Sequence, residues 1–238
     1  MRVVLRCPVR GCPKPLTNQG PRWTCPRGHS FDQHRTGFLN LLQPQDRRSR
    51  NPCDSREVAA ARRRLAGIGD ADAVYRALAH PIASGSQEAA LLDVGCGEGA
   101  FLRHLASVPR LERHGVDISG PSIELAARAS AGVFFVVANA DRFLPYADRS
   151  FDFVTSIDAR VSPAEFARVM KPRGLVLIAG PGPDDLIELR ERIHGARVEK
   201  PRRARLAEDL APALVLVERI MVREEREFDP RALRDLLS

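Results

Sequence analysis

From about residue 89 the chain alternates short apolar runs with stretches of helical periodicity. LLDVG (91–95), HGVDI (114–118), VFFVVA (133–138), FDFVTSI (151–157) and GLVLIAG (174–180) predict strands, and the intervening 100–107, 121–131, 163–170 and 184–194 predict helices. Such alternation predicts an α/β fold, a mostly parallel sheet with helices packed on its faces. A further apolar run, LVLVERIMV (214–222), predicts a sixth strand, and a short helix near 230–237 follows. Upstream, Asp54 is placed to cap a helix with Glu57 reaching back three residues later. Val58, Ala61, Leu65 and Ile68 then form one apolar stripe, Arg62, Arg63 and Arg64 point away from it, and Gly67 and Gly69 end the helix. Residues 1–40 are rich in Cys, Pro and Gly, with short β-like pieces. Three zones result: a cysteine-bearing knuckle (1–40), a basic helical connector (41–85) and the α/β domain (86–238).

Composition narrows the class. With 44% hydrophobic and 28% charged residues in 238, the chain can fold around its own core. No apolar run reaches eighteen residues, and MRVVLRCPVRG lacks the apolar core and cleavage site of a signal peptide. A cytoplasmic location without a membrane partner is expected, where thiols stay reduced and clustered cysteines point to metal. The formal charge of +7 favours polyanionic partners. Its arginines cluster in DRRSR (46–50), ARRR (61–64) and KPRRAR (200–205). One Trp and two Tyr are too few for a dedicated single-strand stacking surface.

Four residues separate Cys7 from Cys12, and three separate Cys25 from His29. Two close pairs joined across a loop are what a tetrahedral zinc ion requires. Pro8, Gly11, Pro13, Pro26 and Gly28 supply the tight turns, and Arg10, Lys14, Arg22 and Arg27 are near enough to offset surplus thiolate charge. With all four positions filled by protein, the zinc would be structural. Cys53 and Cys96 fall outside this set.

LLDVGCGEGAF (91–101) carries a buried strand into a glycine turn and then a helix. Gly95, Gly97 and Gly99 let backbone pass close to a ligand at the helix N-terminus, with Glu98 in the same loop. Asp117, at the end of the second strand, is placed to accept hydrogen bonds from a ribose diol. Residues 95–100 alone also satisfy the dinucleotide fingerprint GxGxxG/A, so the loop leaves a nicotinamide cofactor and S-adenosylmethionine both open.

The surroundings separate them. DVGCGEG (Asp93 to Gly99) resembles motif I of the class I S-adenosylmethionine-dependent methyltransferases. RFLPYADRSFDFV (142–154) and VMKPRGLVLIA (169–179) resemble the segments leading into that family's fourth and fifth strands. The resemblance implies a Rossmann-like fold in which Asp93, Gly95, Gly97, Glu98 and Gly99 surround the cofactor and Asp117 holds its ribose. The place of the acidic residue near the adenine falls on Ala140, leaving Asp141 or a backbone amide to serve.

The four-ligand knuckle followed by SFDQHRTGFLNLL (30–42), DRRSRNPCDSREVAAARRRL (46–65) and motif I is similar to the RlmA-type 23S rRNA guanine-N1 methyltransferases, a group with members conferring macrolide resistance. That resemblance implies S-adenosylmethionine and structural Zn2+ as cofactors, and methylation of a guanine N1 in a 23S rRNA hairpin loop. Where the family carries an aromatic residue and then a proline, this chain has SIDARVSP. Asp158 is there either the acceptor of the N1 proton or a loop carboxylate without catalytic role. The chain ends at RALRDLLS without the family's seventh strand, which leaves an edge to be covered by another element or by a second copy in a homodimer. Two rivals share these features: a small-molecule methyltransferase with a zinc appendage, and a non-catalytic RNA-binding relative.

Overall fold

The computed structural model of the chain describes residues 3–47, 55–85, 87–199 and 206–237. At the N-terminus β1 (Thr17–Asn18), β2 (Arg22–Thr24) and β3 (Ser30–Asp32) form a small antiparallel sheet, in register through Trp23↔Phe31. β4 (Leu39–Asn40) then leaves this head and adds itself to the large sheet of the α/β part.

The connector contains two helices. α1 (Arg56–Gly67) is capped by Ser55, whose Oγ accepts from the Val58 N–H at 3.3 Å and donates to Glu57 at 2.8 Å. The expected cap Asp54 lies outside the described residues, as do Cys53 and KPRRAR. Of the predicted stripe, Ala61 and Leu65 are buried and Val58 is half-buried; Ala59, outside it, is buried too, and Arg62, Arg63 and Arg64 are exposed as expected. Ile68 departs from it: at the C-cap the chain has already turned out of the helix, and Ile68 is exposed. α2 (Asp72–Ala83) was not separately legible, because its polar start and Pro81 blur the period.

The rest alternates as the pattern requires: β5 (Ala89–Val94), α3 (Ala100–His104), β6 (Leu111–Asp117), α4 (Gly120–Ala129), β7 (Val133–Val137), β8 (Phe151–Ile157), α5 (Pro163–Val169), β9 (Met170–Ala179), α6 (Ile187–His194), α7 (Leu206–Leu210) and α8 (Pro230–Leu236). The sheet order is β4-β7-β6-β5-β8-β9, parallel at every pairing. Alternate residues of each strand face opposite sides, so an unbroken apolar run means that both faces are covered. Leu91, Phe135 and Val137 pack with Phe101, Leu102, Leu105 and Ile123 of the helical layer. Leu92, Val94, Val116, Val136 and Val154 pack on the other face with Leu5, Leu16, Leu39, Leu41 and Tyr146, so the head covers much of that face.

One expected strand is absent. Residues 214–222 form no strand, and Val215, Leu216, Val217, Ile220 and Met221 are all exposed. Side-chain pattern marks a segment that suits a pleated surface, but a strand exists only where a neighbour completes its hydrogen bonds, and none among the described residues flanks this run. The sixth strand comes from β4 at the opposite edge, and among the described residues the outer edge of β9 is unpaired. The chain returns as α8 against α1, where Arg64 grips Asp235 through two bonds of 2.7 and 2.6 Å.

Asp93, near the end of β5, is buried and accepts from the Thr155 hydroxyl of β8 at 2.7 Å. Burial pushes its carboxyl up to about 7; the negative charge of Asp117 adds to the shift and the Thr155 bond opposes it. Unfolding returns the group to the ordinary carboxylate range near 3.9. Between about pH 4 and 7 the folded chain therefore holds a proton that the unfolded chain has released, and this contribution to stability declines as pH rises through that window. Asp93→Asn keeps an acceptor for Thr155 but cannot ionise. Thermal unfolding of the two proteins between pH 5 and 8 should show the variant gaining several degrees on the wild type at the alkaline end.

Candidate functional site

β5 has β6 and β8 as neighbours, and the chain order runs outward from it in both directions. This reversal opens a crevice at the carboxyl ends of the strands, where ligands bind in open α/β sheets. The glycine loop fills its floor. A side chain at Gly95 (φ 75°) would place its Cβ 2.2 Å from that of Ala159, so the loop passes the β8 strand end only without one. Gly97 (φ 54°) differs: a Cβ there meets nothing within 4 Å and would project into the open crevice. Gly99, in the left-handed conformation, starts α3. Asp117 closes the loop from β6, its Oδ2 accepting the Gly97 N–H at 2.9 Å and its Oδ1 the Ser119 N–H at 2.7 Å. The uncrowded space above Gly97 and the adjacent Asp117 carboxylate fit an adenosyl donor with a ribose diol.

The other expected residues are placed less uniformly. Glu98 is buried and turned back against the protein, paired with Arg103 at 2.5 Å, so its carboxylate braces the loop. Asp141 stands on the loop after β7, exposed and 3.2 Å from Arg160, which follows β8. Asp158, on the same loop as Arg160, is exposed, with φ 51° and its N–H bonded to the Ala179 carbonyl at 3.1 Å. A left-handed non-glycine residue at a ligand-binding edge is where functional strain concentrates. Sequence reading missed Arg103 and Thr155, which act through Glu98 and Asp93; only their places after motif I and inside the fourth strand could have signalled them. Buried beneath the loop, the Cys96 thiol is pushed well above its ordinary range by burial first and by the negative charges of Asp117 and Asp93 next.

In the head, the ligand atoms of Cys7, Cys12, Cys25 and His29 lie within 4.8 Å of one another. Cys12 Sγ and Cys25 Sγ are 3.8 Å apart, and His29 Nδ1 is 3.4 Å from Cys7 Sγ and 3.3 Å from Cys25 Sγ. A tetrahedral zinc with bonds of about 2.3 Å to sulfur and about 2.0 Å to nitrogen would set these separations near ~3.8 and ~3.5 Å. Two turns make the geometry: the Cys12 N–H bonds to the Val9 carbonyl and the Gly28 N–H to the Cys25 carbonyl. Arg27 spans them, donating to the Gly11 carbonyl at 2.7 Å.

The head adjoins the crevice. Arg6 and Ala147 N–H groups bond to Pro145 and Val4 carbonyls, Leu5 pairs with Tyr146, and Arg142 donates to the Pro8 carbonyl at 3.2 Å. Arg168 fixes the same loop from behind, donating to the carbonyls of Leu144 and Tyr146 at 2.8 Å each. The four-ligand cluster is thus anchored on the segment that contains Asp141.

Residues 5–50 match the family model described as RlmA, N-terminal, and residues 92–178 match the one described as methyltransferase domain. A 23S rRNA (guanine(748)-N(1))-methyltransferase of Streptomyces fradiae is 32% identical over 96% of this chain and 81% of its own length. A Micromonospora griseorubida protein, provisionally named as a 23S rRNA (guanine-N(1)-)-methyltransferase, is 33% identical over 87% of this chain and 75% of its own. Among solved structures, a chain from the complex of the Haloferax volcanii Trm112 methyltransferase activator with a methyltransferase superposes with a TM-score of 0.52 at 23% identity, covering 68% of this chain and 74% of that one, a likeness of fold. With head, connector and glycine loop all inside these matches, the chain belongs to the RlmA-type 23S rRNA (guanine-N1-)-methyltransferase family.

Proposed function

We propose that the protein transfers the methyl group of S-adenosylmethionine to N1 of a guanine in a hairpin loop of 23S rRNA, acting in the cytoplasm where that RNA resides. The observation that carries this reading is the identity to the Streptomyces fradiae enzyme, which runs through both the metal-ligand cluster and the glycine crevice over 96% of the chain. A small-molecule methyltransferase needs no such head.

The bound donor would supply an electrophilic methyl on a sulfonium, displaced in line. The chain's own task is then position and proton removal. Gly95 lets the loop pass the end of β8 and Gly97 leaves the space above it open to the donor; Asp117, bonded to the Gly97 N–H, would offer its remaining lone pairs to the ribose, and Asp93 sets a buried acidic floor below. Asp141 lies on the adenine side. N1 of guanine carries a proton, and Asp158, at the rim after β8, is the carboxylate assigned to accept it. The base must leave its stack to reach the crevice. Backbone contacts from the basic head and the exposed Arg62 and Arg63 on α1 would hold the RNA in register without reading its sequence. Zinc held by Cys7, Cys12, Cys25 and His29 fixes the head's shape.

Four measurements check this. Labelled methyl should appear in 23S rRNA lacking the modification, with a primer-extension stop at one guanine. Gly97→Arg, which fills the cradle, should abolish both transfer and cofactor binding. Asp158→Asn should lower kcat by roughly 100-fold with unchanged affinity for S-adenosylhomocysteine; an unaltered kcat removes Asp158 from the mechanism. Elemental analysis should find one zinc per chain, and Cys12→Ser should lose it and unfold roughly 10 °C lower or more.

A further inference from the structure

The loop after β8 is laid directly on the glycine loop. Bonding to β9 runs one residue past Ile157, through the bond from the Asp158 N–H to the Ala179 carbonyl, and there the chain turns at φ 51°. The turn brings Ala159 onto Gly95, where any Cβ would collide with the Ala159 methyl. Asp158 and Arg160 therefore flank the residue that rests on the glycine loop. Left-handed backbone in a residue with a side chain persists only where surrounding contacts hold it.

Arg160 reaches in the other direction. Its Nη1 lies 3.2 Å from Oδ2 of Asp141, on the loop after β7. In the sheet order β7-β6-β5-β8, the strands β6 and β5 lie between those two loops. The ion pair thus reaches across the carboxyl ends that carry Asp117 and the glycine loop. Arg103 and Arg142 are engaged elsewhere, the first with Glu98 and the second with the Pro8 carbonyl. The Arg160 side chain is 86% exposed. A pair so exposed adds little to stability; its effect is to aim the guanidinium. Asp141 holds one end of a planar group rich in N–H donors, and the rest is open to an incoming ligand.

A guanine out of its stack presents a donor, N1–H, next to an acceptor, O6. The loop presents the converse, an acceptor in Asp158 and, two residues on, a donor in Arg160. Loss of the N1 proton spreads negative charge onto O6, and a fixed cation there stabilises charge that develops during the reaction. We propose that Arg160, aimed by Asp141, donates to O6 of the target guanine and stabilises the anion formed as Asp158 takes the N1 proton. This rests on the rRNA reaction proposed above. In that step the proton passes from N1 to the Asp158 carboxylate, the nitrogen's electron pair forms the bond to the methyl, and the pair of the breaking C–S bond stays on sulfur as S-adenosylhomocysteine leaves. Adenine reverses the pattern, with an acceptor at N1 beside a donor amino group, so the same two side chains exclude it.

Arg160→Ala and Arg160→Lys in the full chain, assayed on 23S rRNA lacking the modification, test this. Arg160→Ala should lower kcat by roughly 100-fold with unaltered calorimetric affinity for S-adenosylhomocysteine. Arg160→Lys, which returns a donor and a charge, should recover part of that loss. The salt dependence of rRNA binding should be the same in all three proteins, because no phosphate contact is removed. An unchanged kcat in Arg160→Ala overturns the proposal, and a shallower salt slope with kcat intact does so by marking a grip on phosphate. Weakened S-adenosylhomocysteine binding also overturns it, since Arg160 then serves the donor. A wild-type protein that methylates no 23S rRNA overturns the rRNA reading itself and this inference with it.

Discussion

The seam between the N-terminal head and the sheet is the contact on which the rest depends. Leu5, Leu16, Leu39 and Leu41 enter the same apolar layer as Val94, Val116, Val136 and Tyr146, and β4 completes the seam with ladder bonds to β7. Burying an aliphatic side chain contributes about 1.5–3 kcal/mol, so four such residues outweigh any one polar contact along the joint. The metal-ligand cluster is consequently set against the loop between β7 and β8. A head on a flexible tether could bind RNA, but it could not fix the distance between its own grip and the reacting centre.

Charge is distributed against the overall balance. The chain is strongly basic, yet Asp93, Glu98 and Asp117 gather at the glycine loop, with Arg103 drawn in to pair with Glu98. Basic groups remain on the outside, on the head and on α1. This division suits two ligands of opposite character, an anionic polymer along the surface and a cationic donor within. It also explains why net charge alone says so little about the crevice.

What the sequence revealed and what it hid follow one physical rule. β5, β7 and β8 were legible because both of their faces are largely shielded, which writes a mostly apolar run, and the ligand set of the head was legible because metal geometry dictates spacing. β4 was hidden: two residues long, it is a strand only because β7 lies alongside. The run 214–222 shows the converse, strand-like residues without a neighbour. In the site, Gly95, Gly97 and Asp117 were legible because backbone approach demands them. Thr155 was not, since its partner comes from another element and no local spacing records a tertiary contact.

The loan of β4 to the large sheet has a consequence for biogenesis. Leu39 pairs with Val136, roughly a hundred residues later in the chain. During synthesis the head therefore emerges long before the partner that completes its seat, and contacts so distant in sequence are the slow ones to form. Early capture of the metal by Cys7, Cys12, Cys25 and His29 would keep that waiting segment folded until the ribosome delivers the other half of its interface.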